Sequence, residues 1–330
     1  MYRKIMGFLE AWKESEHRKP LILQGARQVG KTYSILEFGR THYENVAYFN
    51  FETNPKLNET FEENISPDYL IPILSHIAGQ TIVKEKTLIV FDEVQLCERA
   101  LTSLKYFCED APDYHIIVAG SLLGVAVNRA KFSFPVGKVD MKTLYPMDME
   151  EFLLALGEDD LVEQIKKCFQ TDTPLPSALH DAAMQLYRQY LVVGGMPECV
   201  MQFAETKDYI LVRHTQDTIL ASYLNDMSKY NNLNEIKKTR LAYDNITVQL
   251  SKKNTRFQYK LIKKGGRASE FENAIEWLCL SGIVSQVYKV EQIKKPLENY
   301  RDIDAFKIYV SDLGLLCAKK DLAANDILYM

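Results

Sequence analysis

The sequence has no closely spaced pair of cysteines and no long apolar run. Its six cysteines are scattered without a C-x-x-C pair, so neither a zinc site nor a disulfide framework has the spacing it needs. No stretch approaches the roughly 20 apolar residues that span a bilayer. The N-terminal MYRKIMGFLEAW is interrupted by charges where a signal peptide would have its apolar core. We therefore expect a cytoplasmic protein with reduced thiols and no membrane partner.

The chain also has no large excess of positive or negative charge. The net charge of -4 excludes a protein whose whole surface is built for nucleic acid, although 40 basic residues leave room for a local basic patch. The six histidines never cluster at metal-ligand spacing. A hydrophobic fraction of 47% with 25% charged residues is ordinary for a globular protein, so a folded core is expected and disorder is not.

Short apolar runs alternate with helical patterns over residues 1–148. The predicted helices are Ile5–Glu16, Lys31–Arg40 and a helical segment from Pro55 to Ala78. The predicted strands are Leu21–Leu23, Val46–Phe51, Thr87–Phe91, Ile116–Ala119 and Val139–Tyr145. Nearly continuous apolar strands between helices are typical of a parallel sheet covered on both faces. The fold class predicted for this part is α/β.

The pattern changes after Pro146. Residues 149–232 read as almost entirely helical, with breaks near Thr171–Pro176 and at Gly194-Gly195-Met196-Pro197, and predict a helical lid. Residues 233–330 carry helical patterns followed by two strand-like segments, which together suggest a winged-helix region. The helices are Ile236–Leu250 and Ser269–Leu280, and the strands are Ile283–Val290 and Phe306–Val310.

One motif points directly to phosphate chemistry. The pattern G-x-x-x-x-G-K-[ST] is matched in full by Gly25-Ala26-Arg27-Gln28-Val29-Gly30-Lys31-Thr32. Between a strand and a helix, the backbone N–H groups of such a loop converge on phosphate oxygens at the positive end of the helix dipole. Lys31 is predicted to reach the β- and γ-phosphates, the Thr32 hydroxyl to bind Mg²⁺, and Tyr33 to complete the nucleotide contacts. The alternative is a chance glycine turn, which the flanking elements disfavour.

Two carboxylates end the apolar strand at Phe91. Asp92 is predicted to hold Mg²⁺, directly or through water, and Glu93 to orient or deprotonate the attacking water. The alternative is that both carboxylates cap a helix at Val94. Ser121 ends the next core strand. It either contacts the γ-phosphate or the attacking water, as a sensor residue would, or caps a helix.

Together these residues resemble an AAA-type ATPase of the additional-strand P-loop class, in which a glutamate follows the Walker B aspartate. A closer resemblance, over most of the chain, is to a prokaryotic family of AAA-like ATPases that carry a C-terminal domain of unknown function. The motifs that carry it are G-A-R-Q-V-G-K-T, F-D-E-V-Q, A-G-S-L-L-G, S-F-P-V-G-K-V, G-G-M-P-E and Y-V-S-D-L-G-L-L. The resemblance implies ATP as the ligand, and the chain lacks the guanine-reading N-K-x-D.

The resemblance also implies an ATPase core, a helical lid, a winged helix and then a restriction-endonuclease-like domain. The chain stops at Met330, soon after Asp312-Leu313-Gly314, and no P-D-x(n)-[DE]-x-K constellation follows. We therefore expect either a natural short form or a truncated C-terminal domain, and in both cases no nuclease activity from this chain alone.

Hydrolysis of this type commonly needs an arginine finger, often from a neighbouring subunit. The candidates are Arg27, Arg99 and Arg129, together with Lys138, but a solvated or ion-paired side chain is the favoured interpretation of each. The sequence assigns no finger.

A basic stretch lies between Ile236 and Glu270, where only Asp244 and Glu270 oppose the cations. These are Lys237, Lys238, Arg240, Lys252, Lys253, Arg256, Lys260, Lys263, Lys264 and Arg267. Either this region contacts DNA phosphates or the winged helix is only a packing module.

The sequence thus predicts slow Mg²⁺-dependent hydrolysis of ATP to ADP and phosphate, with the nucleotide state controlling the lid and the C-terminal region. Gly194-Gly195-Met196-Pro197 is either a hinge or a plain structural turn. Two alternatives stay open: a signalling or scaffolding switch that binds ATP and scarcely hydrolyses it, and a DNA-binding regulator whose ATPase controls self-association.

Overall fold

The chain divides after Tyr145 into two compact units. The computed structural model describes residues 1–121, 135–229, 233–252 and 256–329. Within those ranges no helix combines the length and the apolar character needed to cross a bilayer.

The first unit is built on a parallel sheet. Among the described residues it has five strands in the order β2-β3-β4-β1-β5. The strands are β1 (Leu21–Gly25), β2 (Asn45–Asn50), β3 (Thr87–Asp92), β4 (His115–Ser121) and β5 (Asp140–Thr143). The three apolar runs form the central strands because both of their faces are covered, whereas β2 and β5 lie at the edges. The predicted α/β P-loop architecture is confirmed.

Helices accompany these strands in the first unit. They are α1 (Ile5–Lys13), α2 (Lys31–His42), α3 (Leu57–Glu63), α4 (Pro67–Ala78) and α5 (Glu98–Asp110). The helical patterns predicted from Pro55 to Ala78 form two helices, because Pro67 starts a new helix at its first position. Phe61 of α3 and Phe91 of β3 pack edge to face with ring centroids 5.5 Å apart, which anchors the helix on the sheet next to the functional end of β3.

The second unit is mostly helical up to Leu280. Its helices there are α6 (Met149–Ala155), α7 (Asp159–Gln170), α8 (Ser177–Val193), α9 (Pro197–Thr206), α10 (Tyr209–Lys229), α11 (Leu233–Leu250) and α12 (Ala268–Leu280). The break at Gly194–Gly195 is buried, and the Met147 N–H donates to the Gly195 carbonyl at 2.6 Å. This packing supports the interpretation of the break as a structural turn.

A two-stranded antiparallel ribbon follows α12. It consists of β6 (Val284–Val290) and β7 (Arg301–Val310), and the chain then returns to helix in α13 (Leu313–Lys319) and α14 (Ala324–Leu328). The second strand starts five residues before the predicted Phe306, since a register shift after Tyr288 pairs Lys289 with Asp302. The charged residues at the start of β7 did not indicate a strand, because aspartate is depleted in strands.

Candidate functional site

The loop between β1 and α2 has the shape of a phosphate cradle. Gly30 adopts φ 90° and precedes the first residue of α2, Lys31, so the N–H groups of the first helical turn face the loop. A Cβ at Gly25 would overlap the carbonyl oxygen of Leu144, and the Leu144 N–H donates to the Gln24 carbonyl at 2.7 Å. Glycine at position 25 is therefore needed for the close approach of the segment after β5.

The Lys31 ammonium folds back over its own loop. Its Nζ donates to the carbonyl oxygens of Gly25 at 3.1 Å and Ala26 at 2.8 Å. Burial lowers the pKa of Lys31 to about 8, and the carboxylates of Glu93 and Asp92 offset part of that effect. These two carbonyl oxygens accept the hydrogen bonds that the ammonium would donate to phosphate oxygens.

Asp92 lies at the end of β3 and is only 5% exposed. Its Oδ2 accepts hydrogen bonds from the Thr32 hydroxyl at 3.0 Å and from the Tyr48 hydroxyl at 2.7 Å, while Oδ1 accepts the Glu93 N–H at 3.0 Å. The structure thus brings together Thr32 and Asp92, the two predicted magnesium ligands. A carboxylate and a hydroxyl are hard oxygen donors of the kind Mg²⁺ prefers, so this pair fits the ion.

Glu93 follows in an unusual backbone conformation. It has φ 52°, a left-handed value that non-glycine residues adopt rarely and often at functional sites. Its carboxylate accepts a hydrogen bond from Nε2 of Gln95. Glu93 precedes the short 3₁₀ helix Val94–Leu96, but neither its side chain nor another makes a capping hydrogen bond there. The capping alternative for Glu93 therefore has no support in the structure.

The remaining predicted residues either lie partly outside the described residues or have partners away from the phosphate loop. Ser121 ends β4 and its backbone pairs with Gly25, so the strand end lies beside the start of the loop; the Ser121 side chain is outside the described part. Arg99 donates to the Phe61 carbonyl at 2.8 Å, and Lys138 pairs with Glu109 at 2.9 Å. Arg129 and Lys253 are outside the described residues.

Three side chains that contact this region were not predicted. Arg3 is 3% exposed and donates to the carbonyl oxygens of Val29, inside the loop, at 2.9 Å and Tyr145 at 2.8 Å. Tyr48 and Gln95 bind Asp92 and Glu93 directly. Burial and the Asp92 hydrogen bond raise the pKa of Tyr48 to about 12, so its hydroxyl stays protonated and available as a donor. Tyr48 and Asn50 lie where β2 ends beside Asp92, a position the predicted sheet could have indicated.

Comparison with known proteins agrees with the fold of the first unit. Residues 17–153 match a family model described as an AAA domain, and residues 184–326 match one described as a domain of unknown function. The Walker-type ATPase of Pyrococcus abyssi has a similar fold, with a TM-score of 0.59 and 13% identity over 97% of this chain and 95% of that one. No curated protein sequence matches the chain significantly.

Two other solved structures match at lower scores. The Orc1 protein of Aeropyrum pernix in complex with DNA has a TM-score of 0.32 at 13% identity, covering 97% of this chain and 91% of that one. The RuvB Holliday junction branch migration motor of Thermotoga maritima has a TM-score of 0.34 at 14% identity, with 86% and 87% covered. Scores this low have no bearing on the winged helix or DNA binding, which stay predictions. The first unit therefore has the AAA-type P-loop fold, and the chain is similar to an AAA domain over residues 17–153 and to a domain of unknown function over residues 184–326.

Proposed function

We propose that the first unit hydrolyses ATP to ADP and phosphate with Mg²⁺. The observation that carries this proposal is the convergence of Lys31, Thr32, Asp92 and Glu93 around one loop at the ends of β1 and β3. A structural turn would need none of these groups to lie side by side, with Asp92 buried and Lys31, Thr32 and Glu93 half-buried, since removing carboxylates and an ammonium from water is costly unless they serve a site.

Each residue has a defined role in this proposal. The N–H groups at the start of α2 and the Lys31 ammonium bind the phosphate oxygens. Thr32 and Asp92 hold Mg²⁺, which when bound neutralises charge on the phosphates. Glu93 orients the attacking water and accepts its proton, and Gln95 holds the Glu93 carboxylate in one orientation.

Turnover by the isolated chain is expected to be slow. Arg99 and Lys138, the described candidates for a charge-stabilising cation outside the loop, already bind Phe61 and Glu109. A second copy of the chain is the proposed source of the missing cation. Phosphate release per molecule that rises with protein concentration would support self-association, and a rate independent of concentration would count against it.

The test of the proposed function is phosphate release from ATP by the purified chain with Mg²⁺ and with EDTA. Release that requires Mg²⁺, with ADP as the product, supports the ATPase. Tight ATP binding without release would instead favour a signalling or scaffolding switch.

Nucleic-acid binding by the second unit is a second candidate function. Six cations of the basic stretch are exposed and have no ion-pair partner among the described residues: Lys237, Arg240, Lys252, Lys260, Lys264 and Arg267. The order of α11, α12 and the β6–β7 ribbon supports the predicted winged helix. On the ribbon, Lys307 and Tyr309 are exposed side chains that suit a phosphate and a base. The nucleotide state would then control this binding.

The exposed Glu272 and Glu276 make α12 a poor partner for a major groove, so the contact is proposed through the loop and the ribbon. Mobility shifts of labelled DNA across a salt series test this, because phosphate contacts give a steep loss of affinity with salt. Replacing Lys264 and Arg267 by glutamate should weaken binding. The same change at Lys84 and Lys86 of the first unit should not, and equal losses from both pairs would contradict a specific contact.

A further inference from the structure

Tyr48 contacts the site from a strand that contributes nothing to the phosphate loop. It lies on β2, at the edge of the sheet, and its hydroxyl donates to Oδ2 of Asp92 at 2.7 Å. The Thr32 hydroxyl donates to the same oxygen at 3.0 Å. One carboxylate oxygen therefore joins a residue of the edge strand to a residue of the phosphate loop.

The orientation of Tyr48 is itself fixed. Asn50, two residues further along β2, donates from Nδ2 to the Tyr48 hydroxyl oxygen at 3.2 Å. The Asn50 side chain is in turn held by the turn after β2, since its Oδ1 accepts the N–H groups of Glu52 and Thr53 at 2.9 Å each. The hydrogen bonds run in one direction from Asn50 through Tyr48 to Asp92.

Burial alone does not explain this arrangement. Tyr48 is 38% exposed on an edge strand, where water can satisfy a phenol hydroxyl. A buried tyrosine must find a partner in the protein, but Tyr48 is under no such requirement. Its bond to a carboxylate is of the charge-assisted kind, which is stronger than a bond between neutral groups.

The hydrogen bond from Tyr48 affects how the Asp92 carboxylate uses its acceptor positions. A carboxylate offers about four lone-pair positions. Oδ2 accepts two donors, Tyr48 and Thr32, whereas Oδ1 accepts one, the Glu93 N–H. Without the Tyr48 hydroxyl, Oδ2 would keep only the Thr32 hydroxyl as a donor, so the rotation of the carboxylate would be held less firmly.

We propose that Tyr48 is a positioning residue for the magnesium aspartate: its hydroxyl fixes the rotation of the Asp92 carboxylate, so that Oδ1 keeps a lone pair for the cation or its water. The inference rests on the proposed function, because it requires a magnesium site at Thr32 and Asp92. It adds a residue from outside both nucleotide motifs, and it predicts an effect on the metal rather than on the nucleotide.

The experiment compares the wild type with Tyr48→Phe, which removes only the hydroxyl. Binding of a fluorescent ADP analogue is measured first in EDTA and then across a Mg²⁺ titration. In EDTA the two proteins should bind the analogue equally. The Mg²⁺ concentration that gives half of the Mg²⁺-dependent change in affinity should rise about tenfold in Tyr48→Phe, as expected for losing one hydrogen bond to a charged group.

Tyr69→Phe is the matched control, because the Tyr69 hydroxyl also donates to a carboxylate, that of Glu63, away from the loop. It should titrate like the wild type, and equal melting temperatures for all three proteins would show that each is folded. A Tyr48→Phe protein that titrates at the wild-type Mg²⁺ concentration, or that loses affinity equally in EDTA, overturns the inference while the proposed function stands. Wild-type affinity that does not depend on Mg²⁺ overturns the metal site and the inference with it.

Discussion

The carboxylate of Asp312 accepts a hydrogen bond from the backbone N–H of Gly195 at 2.6 Å, although the two residues are 117 positions apart. Asp312 is 4% exposed and also accepts the Leu315 N–H at 2.8 Å, which caps α13. A Cβ at Gly195 would overlap the carbonyl oxygen of Met147. The family resemblance singled out the G-G-M-P-E and S-D-L-G sequences separately. In the structure they contact each other in the buried interior of the second unit.

Gly195→Ala should therefore destabilise the second unit severely. The added methyl has no room beside the Met147 backbone, and relief of such an overlap typically costs about 3 kcal/mol. Urea denaturation measures the loss. Gly7→Ala is the control, because no atom lies within 4 Å of a Cβ at Gly7 and alanine suits its helix. Equal midpoints for the two variants would contradict the close packing.

Arg3 is predicted to stabilise the conformation of the phosphate loop through its hydrogen bond to the Val29 carbonyl. Arg3→Met keeps much of the apolar length but leaves the buried carbonyl of Val29 without this donor, and an unsatisfied buried acceptor costs about 1–3 kcal/mol. We expect a lower free energy of unfolding and weaker binding of a fluorescent ADP analogue. Arg40→Met, at an exposed arginine paired with Glu37, should leave both unchanged. Wild-type binding by Arg3→Met would show that the loop does not need this support.

His115 should make the first unit sensitive to acid. Burial foremost, and then the charges of Arg18 and Lys13, lower the pKa of His115 from 6.5 to about 4. Between these values the unfolded chain binds a proton that the folded chain does not. Stability therefore falls as the pH drops from 6.5 towards 4, by about 2 kcal/mol at pH 5.

Denaturation of the wild type and His115→Gln at pH 7 and pH 5 isolates this contribution. The wild type should lose more stability than the variant between the two pH values, because glutamine does not titrate. The same loss in both proteins would assign the acid sensitivity to other groups.

Gln95 should act on turnover through Glu93. Gln95→Ala removes the donor that holds the Glu93 carboxylate, so the carboxylate should adopt several orientations and the rate of hydrolysis should fall about tenfold. Nucleotide affinity should be unchanged, since the role proposed for Glu93 is to activate water and not to bind the nucleotide. Single-turnover kinetics with bound ATP separate the two quantities. A loss of affinity at an unchanged rate would contradict this role.

Much of the first unit was predictable from sequence because its signals are local. The apolar runs of β1, β3 and β4 and the spacing of Gly25, Gly30 and Lys31 depend on neighbouring residues. They predicted the sheet, the loop and the meeting of Thr32 with Asp92.

Two of the supporting residues, Arg3 and Tyr48, depend on contacts between distant segments. Nothing around Arg3 indicates that it binds a carbonyl in the loop 26 positions later, and Tyr48 reaches Asp92 only because β2 pairs with β3. The early start of β7 was hidden for a different reason. Its first residues, Arg301 and Asp302, pair with Val290 and Lys289 beyond a register shift in β6. They also lack the apolar alternation that usually indicates a strand.

The most direct test of the account is phosphate release from ATP and Mg²⁺ by the wild type, Glu93→Gln and Lys31→Ala, with ATP binding measured for each. The account predicts slow release by the wild type, binding without release by Glu93→Gln, and loss of binding by Lys31→Ala. Release by Glu93→Gln at the wild-type rate would contradict the role of Glu93 in activating water, and wild-type ATP binding by Lys31→Ala would contradict the phosphate site itself.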